Sequence, residues 1–264
     1  MTRVRRLVWP VVAGAVGIAL LVVIWHWLST FTVATRLPSP AAVFNVLTTT
    51  VTQSPVIAAQ GGGAGGFLPH IWASIWHTLL AVLIGTVLGV FIGWLFAQVR
   101  WIREFVQPPV ELLRLIPSLV AVPFFVLWFG IGSAPQLVLI IAYTALVMQV
   151  SAYITLRDLP PQFGRFSATL GANSWQRLVG VQLPAAVPAL LGSLRVTLQL
   201  AWGLTIVAEL MGAQIGIGKV MSSAARFLRT DYVMAGVIWI SVVAMLTDLI
   251  FRLVIRRTTA WSRE

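Results

Sequence analysis

The sequence predicts an all-α integral membrane protein with about six spanning helices, and three observations carry that expectation. Hydrophobic residues make up 59% of the chain and charged residues only 9%, whereas a soluble domain is about 25% charged. Apolar runs of bilayer-crossing length, about 20 residues, recur at about 8–30, 71–98, 107–130, 134–156, 186–211 and 233–254. The Lys and Arg residues are also sorted unevenly between alternate connections. One set of connections holds Arg3, Arg5, Arg6, Arg100, Arg103, Arg157, Arg165, Arg177, Arg252, Arg256, Arg257 and Arg263. The other set holds Arg36, Lys219, Arg226 and Arg229. The positive-inside rule therefore predicts a multi-pass protein of the cell membrane with both termini in the cytoplasm.

Charge and cysteine content narrow the function classes. A net charge of +11 in a soluble chain would point to nucleic acid. Beside apolar spans it points to topology and anionic membrane lipid, so nucleic acid is not an expected partner. The absence of cysteine excludes a disulfide framework and thiol-rich metal sites.

At the N-terminus, Arg3, Arg5 and Arg6 precede an apolar run from Leu7 to about Leu28. That run is too long for a signal-peptide core, and an uncleaved first span is expected. Residues 1–36 thus form a cytoplasmic tail and first span. Residues 37–70 form an external segment. In it Ser39 is placed to cap a helix and Pro40 to occupy its first position, with Phe44, Leu47 and Val51 on one interfacial face. Gln60 to Gly66 reads as a flexible glycine-rich link. Residues 71–257 form a core of five further spans, and 258–264 a cytoplasmic tail.

Within the core, Trp72 and Trp76 sit where interfacial aromatics belong. The third span carries Pro117 and Pro123 after Pro108-Pro109. Proline frees a carbonyl and bends a helix, so this span is either kinked for packing or bent to line a pathway with Trp128. Phe129-Gly130-Ile131-Gly132 turns externally into the fourth span. A long polar connection, about 157–188, joins the fourth and fifth spans on the cytoplasmic side. The external loop 212–232 is punctuated by Gly212, Gly216 and Gly218 and suggests a short re-entrant or surface helix.

Several motifs exclude more than they offer. Gly61, Gly63 and Gly66 match a dinucleotide fingerprint, but no strand precedes them. Gly218-Lys219 resembles the end of a phosphate loop, yet Ala213 and Val220 occupy the positions of its first Gly and its hydroxyl. The chain is not expected to hydrolyse ATP. His26, His70 and His77 lack zinc-helix spacing, no metal site is expected, and no nucleophile–base set is legible. Ionisable groups inside apolar runs are costly and face protein or water. Glu209 is either hydrogen-bonded between helices or borders a translocation path. Asp248 can pair with Arg252 one turn on. Arg114 and Arg195 either snorkel to the inner interface or attract an anion bound for the cytoplasm.

The 171–184 spacing carries a resemblance. Gly171, nine residues, then Val181-Gln182-Leu183-Pro184 is similar to the loop signature of permease subunits of binding-protein-dependent ABC importers. Leu37-Pro38-Ser39-Pro40, His70 with Ser74, and Pro117 and Pro123 with Trp128-Phe129-Gly130-Ile131-Gly132 resemble the nitrate/sulfonate/taurine type. So do Thr169-Leu170-Gly171-Ala172, Leu183-Pro184-Ala185-Ala186, Ala208-Glu209 with Gly212, Gly216 and Gly218, Thr230-Asp231, and Asp248. The match runs over about 37–257. At the signature's Glu-Ala-Ala stand Arg165, Phe166 and Ser167, a reversal of charge at its first position.

The resemblance implies a type I ABC importer permease fold with a cytoplasmic coupling helix. Arg165, Ser167, Thr169, Leu170, Gly171, Ala172, Trp175, Leu183 and Pro184 would couple to the ATPases. Pro117, Pro123, Trp128, Glu209, Arg114 and Arg195 are candidates for the pathway. The implied partners are two ABC ATPase subunits, a periplasmic or lipoprotein solute-binding protein and a second permease copy. The chain itself would bind no cofactor; ATP and Mg would sit on the partner subunits. The implied substrate is a small anion such as a sulfonate, taurine, nitrate or bicarbonate, with a thiamine-precursor pyrimidine, riboflavin or aromatic carboxylate as the alternative. A stand-alone secondary transporter would need polar mid-span residues and inverted repeats. Few of the former and no repeat are evident.

Overall fold

The computed structural model of the chain describes residues 2–63, 65–160, 162, 167 and 169–259. Among these residues the regular structure is helical throughout. The helices are α1 (Thr2–Thr30), α2 (Pro40–Thr49), α3 (Pro55–Ala59), α4 (Leu68–Gln98), α5 (Arg100–Leu115), α6 (Ser118–Phe129), α7 (Ser133–Arg157), α8 (Ser174–Arg177), α9 (Leu183–Gly212), α10 (Ile217–Arg226) and α11 (Thr230–Thr258). Five stretches are long and apolar enough to cross a membrane: Val12–Thr30, Leu68–Gln98, Ser133–Arg157, Ser174–Gly212 and Thr230–Thr258. The pair α5 and α6 makes a sixth only as a broken span, because the two helices meet at 99°. The chain divides into two compact units, Met1–Pro69 with Val220–Trp239, and His70–Lys219 with Ile240–Glu264.

In the first unit, α1 exposes apolar side chains on every side, with Ile18, Leu21 and Val23 more than 60% exposed. A helix hydrophobic all round belongs in lipid. Trp25 anchors the segment after α1, its indole N–H donating to the Pro38 carbonyl at 3.0 Å. α2 begins as expected: Ser39 caps it, accepting from the Ala42 N–H at 3.3 Å, with Pro40 in the first turn. Val43, Val46 and Thr50 form its buried face, and Phe44, on the face expected to be interfacial, is 67% exposed.

The glycine-rich link is also less free than its composition suggests. Its end is pinned where the Phe67 and Leu68 N–H groups donate to the Thr50 and Val51 carbonyls at 3.0 and 2.9 Å. Gly66 lies there at φ +58°, where a Cβ would press on Val51 O and Gln53 N. A Phe67–Tyr232 stack and a Ser54–Tyr232 hydroxyl contact at 3.3 Å complete this unit.

In the second unit, α4 and α7 approach so closely that a Cβ at Gly85, Gly89 or Gly93 would come within 2.5–2.6 Å of an atom of α7. Four-residue spacing puts the three glycines on one stripe, the small-residue contact by which membrane helices gain backbone proximity. At one end of this contact Met148, Ala152 and Leu156 of α7 form a core with Ala186 and Leu190 of α9, against which Leu183 also packs.

The third predicted span, 107–130, is corrected to two helices. Pro117 disfavours helical geometry at Ile116, and Ile116 is extended (φ −71°, ψ 118°). α5 therefore starts earlier, at Arg100, and stops before the proline. Pro108 and Pro109 sit inside α5, and Pro123 inside α6. The fifth span begins earlier than 186 as well. α8 runs into a π-helical turn, Leu178–Gln182, and then α9. The Leu183 N–H reaches back five residues to the Leu178 carbonyl. In α-geometry the Pro184 ring would strike the carbonyl four residues back, and the wider π-turn accommodates it.

The loop after α9 contains α10, whose Ile217, Val220, Met221 and Ala224 are buried at helical spacing. α10 ends with Leu228 at φ 54°. The Leu228 and Arg229 N–H groups donate to the Ala225 and Ala224 carbonyls, the reciprocal pattern that closes a helix on a left-handed residue.

Candidate functional site

The first candidate site is the connection from α7 to α9. Ser167 is buried, and its carbonyl accepts from the Ala172 N–H at 3.1 Å. Gly171 closes this turn at φ +70°, in open space, so glycine is required here by backbone conformation rather than by crowding. Thr169 and Leu170 are exposed, Leu170 by 84%. Asn173 then starts the next helix with a capping box: its side chain accepts from the Gln176 N–H at 2.8 Å, and Gln176 Oε1 accepts from the Asn173 N–H at 2.9 Å.

Trp175 stands edge-on to Trp94 of α4 with centroids 6.2 Å apart. Leu183 packs into the α7–α9 core and Pro184 follows the π-turn. A left-handed glycine, a capped helix and a π-turn thus join an exposed tip to a spanning helix without a slack segment. Arg165, with its expected charge reversal, lies outside the described residues.

The second site surrounds Glu209, 1% exposed on α9. Its Oε1 accepts from Ser74 Oγ of α4 at 2.7 Å and from Gln136 Nε2 of α7 at 3.1 Å. Its Oε2 accepts from the Gly218 N–H of α10 at 2.9 Å. Ser74 Oγ in turn accepts from the Ile217 N–H at 3.0 Å, and His70 Nδ1 from the Gly216 N–H at 3.1 Å. The carboxylate and its neighbours therefore satisfy the first N–H groups of α10, which have no partner within the helix. Gly216 and Gly218 let the chain pass this close: a Cβ at Gly218 would lie 2.6 Å from Glu209 Cβ. One turn further along, the Thr78 hydroxyl gives its proton to the Ser74 carbonyl at 2.7 Å, which leaves Thr205, 2.7 Å away, as donor to Thr78. Of the two readings open for Glu209, this geometry is a hydrogen-bonded junction of four helices.

The third site joins α9 to α11. Asp248 pairs with Arg252 at 2.7 Å, as the spacing suggests, and also with Arg195, whose Nε lies 2.6 Å from Oδ1. Gln199 Nε2 donates to Oδ1 at 3.3 Å, and the Trp202 indole donates to Thr247 Oγ1 at 3.0 Å. Arg195 is therefore a bridge to a carboxylate.

The remaining predicted pathway residues gather where α5 and α6 face α7. Pro117 sets the break between α5 and α6, Pro123 lies exposed in α6, and Trp128 near its end is 73% exposed. A cavity of about 630 Å³ here is lined mainly by apolar and aromatic side chains, including Trp128, with Arg114 at its edge. A smaller polar cavity of about 230 Å³ shares Arg114 and holds Glu111, Gln149, Tyr153 and Arg157. Past α6, Gly130 and Gly132 adopt positive φ, and the Gly132 N–H donates to the Gly212 carbonyl at 3.0 Å. This ties the turn between α6 and α7 to the end of α9. No group of three or more His, Cys, Asp or Glu among the described residues is arranged to hold a metal.

Three of these features are absent from the sequence-based expectations: the Gly85-Gly89-Gly93 stripe, the Asn173–Gln176 capping box and the Arg195–Asp248 bridge. The first two had legible signals, a repeated small-residue spacing and a capping residue with Gln three positions later. The third joins residues 53 apart in sequence and had none.

Residues 85–260 match a protein family described as binding-protein-dependent transport system inner membrane component. The chain is 31% identical over 262 residues to the taurine transport system permease protein TauC of Escherichia coli (strain K12), covering 97% of this chain and 93% of that protein. It is also 31% identical over 248 residues to the putative aliphatic sulfonates transport permease protein SsuC of Bacillus subtilis (strain 168), covering 93% and 86%. Among solved structures, a chain of the inward-facing MetNI methionine ABC transporter superposes with a TM-score of 0.58 at 22% identity, covering 76% of this chain and 99% of that one. That likeness concerns the fold.

Proposed function

This chain belongs to the family of binding-protein-dependent transport system inner membrane components, and on that premise we propose that it is the permease subunit of an ATP-driven importer of small organic sulfonates. The observation that carries the substrate class is the 31% identity, over nearly the whole chain, to permeases named for taurine and for aliphatic sulfonates. The chain performs no catalysis. ATP and Mg sit on two partner ATPases, an external binding protein delivers the solute, a second permease copy completes the pathway, and both termini face the cytoplasm.

The mechanism rests on the connection between α7 and α9. Movement of the ATPases on ATP binding reaches the membrane only through segments that do not yield. The turn at Gly171, the capped helix α8 and the π-turn are continuous with α9. A displacement of the exposed Leu170 tip is then delivered to α9 and, through Trp175 and Trp94, to α4. Differential contact of the ATPases with this tip in their open and closed states supplies the bias between outward- and inward-facing pathways.

The test is reconstitution of the chain with its ATPases and binding protein in proteoliposomes. Uptake of taurine or ethanesulfonate that requires both ATP and the binding protein is the expected result. Uptake by the purified chain alone, or a binding protein that selects a sugar or a cation, would overturn the reading.

A further inference from the structure

The cavity between α5, α6 and α7 has the chemistry of a ligand site rather than of a simple gap. Its walls are apolar and aromatic, with Phe124, Phe125 and Trp128 from α6 facing Leu139 and Tyr143 from α7. One cation stands at its edge, Arg114, in the last turn of α5. Among the described residues Arg114 forms no ion pair, whereas Arg195 is bridged to Asp248, Arg252 to the same carboxylate, and Arg157 to Asp158. Glu111 lines the adjoining polar cavity with Arg114, accepts from Gln107 Nε2 at 2.6 Å and lies beyond ion-pair distance of Arg114. A guanidinium with no ion pair beside an apolar spanning segment is costly unless water or an anion reaches it.

We infer that this chamber is a transient substrate site within the permease, and that it takes a short-chain organic sulfonate with its sulfonate on Arg114 and its alkyl body against the α6 and α7 walls. The inference rests on the sulfonate-importer reading and gives that reading a place in the membrane domain. At about 630 Å³ the chamber falls in the range of small-molecule pockets, which combine apolar walls with a few placed polar groups. Arg suits the head group because its planar fork offers parallel N–H donors to an oxyanion. An inorganic anion would gain the same contact but nothing from the walls, so the site favours amphipathic anions over sulfate or nitrate. Arg195 is already committed to Asp248, whereas Arg114 has no ion pair among the described residues.

The lack of cysteine makes a direct test available. Ala121 lines the chamber, and Ala121→Cys places one thiol of this chain inside it. The complex with its ATPases and binding protein is treated with sulfonatoethyl methanethiosulfonate, and separately with the cationic trimethylammonioethyl reagent of similar size. In each, the thiolate attacks the reagent's sulfenyl sulfur, forming a mixed disulfide and releasing methanesulfinate. With each rate taken relative to that reagent's rate with a free thiol, the expected result is faster labelling by the anionic reagent, slowed by butanesulfonate and not by sulfate. Arg114→Gln should erase that preference by about tenfold, the scale of one charge-assisted hydrogen bond, and Arg114→Lys should keep most of it.

Equal relative rates for the two reagents, an unchanged preference in Arg114→Gln, or no labelling of Ala121→Cys would overturn the site. Retained assembly with the ATPases establishes that each variant is folded, and Arg114→Met, which also removes the charge and should also lose the preference, decides the question should Arg114→Gln fail to assemble. Sulfonate uptake by the parent complex with no Arg114-dependent preference would sink this site and leave the importer reading standing. The preference without any sulfonate uptake would do the reverse.

Discussion

Arg195 of α9 grips Asp248 of α11 with two parallel hydrogen bonds, Nε to Oδ1 at 2.6 Å and Nη2 to Oδ2 at 3.1 Å, while Arg252 holds the same carboxylate from one turn away. The carboxylate is thus shared by two guanidiniums. Removing it leaves two like charges facing one another, whereas removing Arg195 leaves Asp248 still paired. Asp248→Asn should therefore lower the thermal midpoint of the purified complex more than Arg195→Gln does. The double variant should be less destabilised than the sum of the two singles, because the pair no longer exists to be broken. Strict additivity in this cycle would show that the bridge contributes nothing to holding α9 and α11 together.

Glu209 and Gly216 form a second testable pair. Glu209 accepts from Ser74, Gln136 and the Gly218 N–H, and hydrogen bonds between membrane helices are worth about 0.6 kcal/mol on average and up to about 1.7 kcal/mol. Glu209→Leu should destabilise the complex by about 2–3 kcal/mol on that scale, as read from thermal unfolding in detergent. Glu209→Gln keeps the shape but turns an amide N–H toward a donor, and its stability should fall between that of the parent and that of Glu209→Leu. Gly216→Ala fails for another reason. Its φ of +138° is closed to alanine, and the added Cβ would strike the Glu209 carboxylate. Paired with Glu209→Ala, the Gly216→Ala cost should shrink, since the clash partner is gone. An unchanged cost would assign it to backbone conformation alone.

The coupling turn separates conformational from docking roles. Gly171 has open space around it but φ +70°, so Gly171→Ala should cost about 1–2 kcal/mol through the left-handed backbone alone. Leu170 is 84% exposed, and Leu170→Asp should leave the stability within about 0.5 kcal/mol of the parent, as for surface substitutions generally. In proteoliposomes Leu170→Asp should nevertheless lose substrate-linked stimulation of ATP hydrolysis together with uptake. Normal coupled transport in that variant would remove the role assigned to this tip.

These residues show what could be read before the structure and what could not. Span number and the Ser39–Pro40 helix start were legible because apolar length and capping chemistry are local properties. The spacing from Gly171 to Leu183-Pro184 was legible because it lies within one segment. The 99° break at Pro117 was half legible: the proline announced a bend, but its size depends on what α5 and α6 pack against. The packed face of α2, Val43 and Val46, had no signal of its own, because Phe44 and Val43 are equally apolar and only tertiary contact decides which is buried. The junction at Glu209 draws on α4, α7, α9 and α10. No pattern within any one of them specifies the others, although a carboxylate in an apolar run signalled that partners must exist.

Gly89 of α4 and Gly17 of α1 differ in what surrounds them, and each serves as the other's control. A Cβ at Gly89 would lie 2.6 Å from the Ala145 carbonyl oxygen and 2.8 Å from Met148 Cβ. Both atoms belong to the body of α7 and cannot swing aside, so Gly89→Ala must push the helices apart. Overpacking of this kind costs about 1–3 kcal/mol, and the displacement would also disturb Met148, which belongs to the core that Leu183 packs against. Gly89→Ala should therefore lower both the thermal midpoint and the coupling of ATP hydrolysis to uptake. Gly17 has nothing within 4 Å of its would-be Cβ. There the same substitution should be neutral or stabilise by up to about 1 kcal/mol, since alanine is the better helix former. Equal effects at the two positions would mean that the α4–α7 contact tolerates separation, and the close approach of these helices would then have no part in either stability or transport.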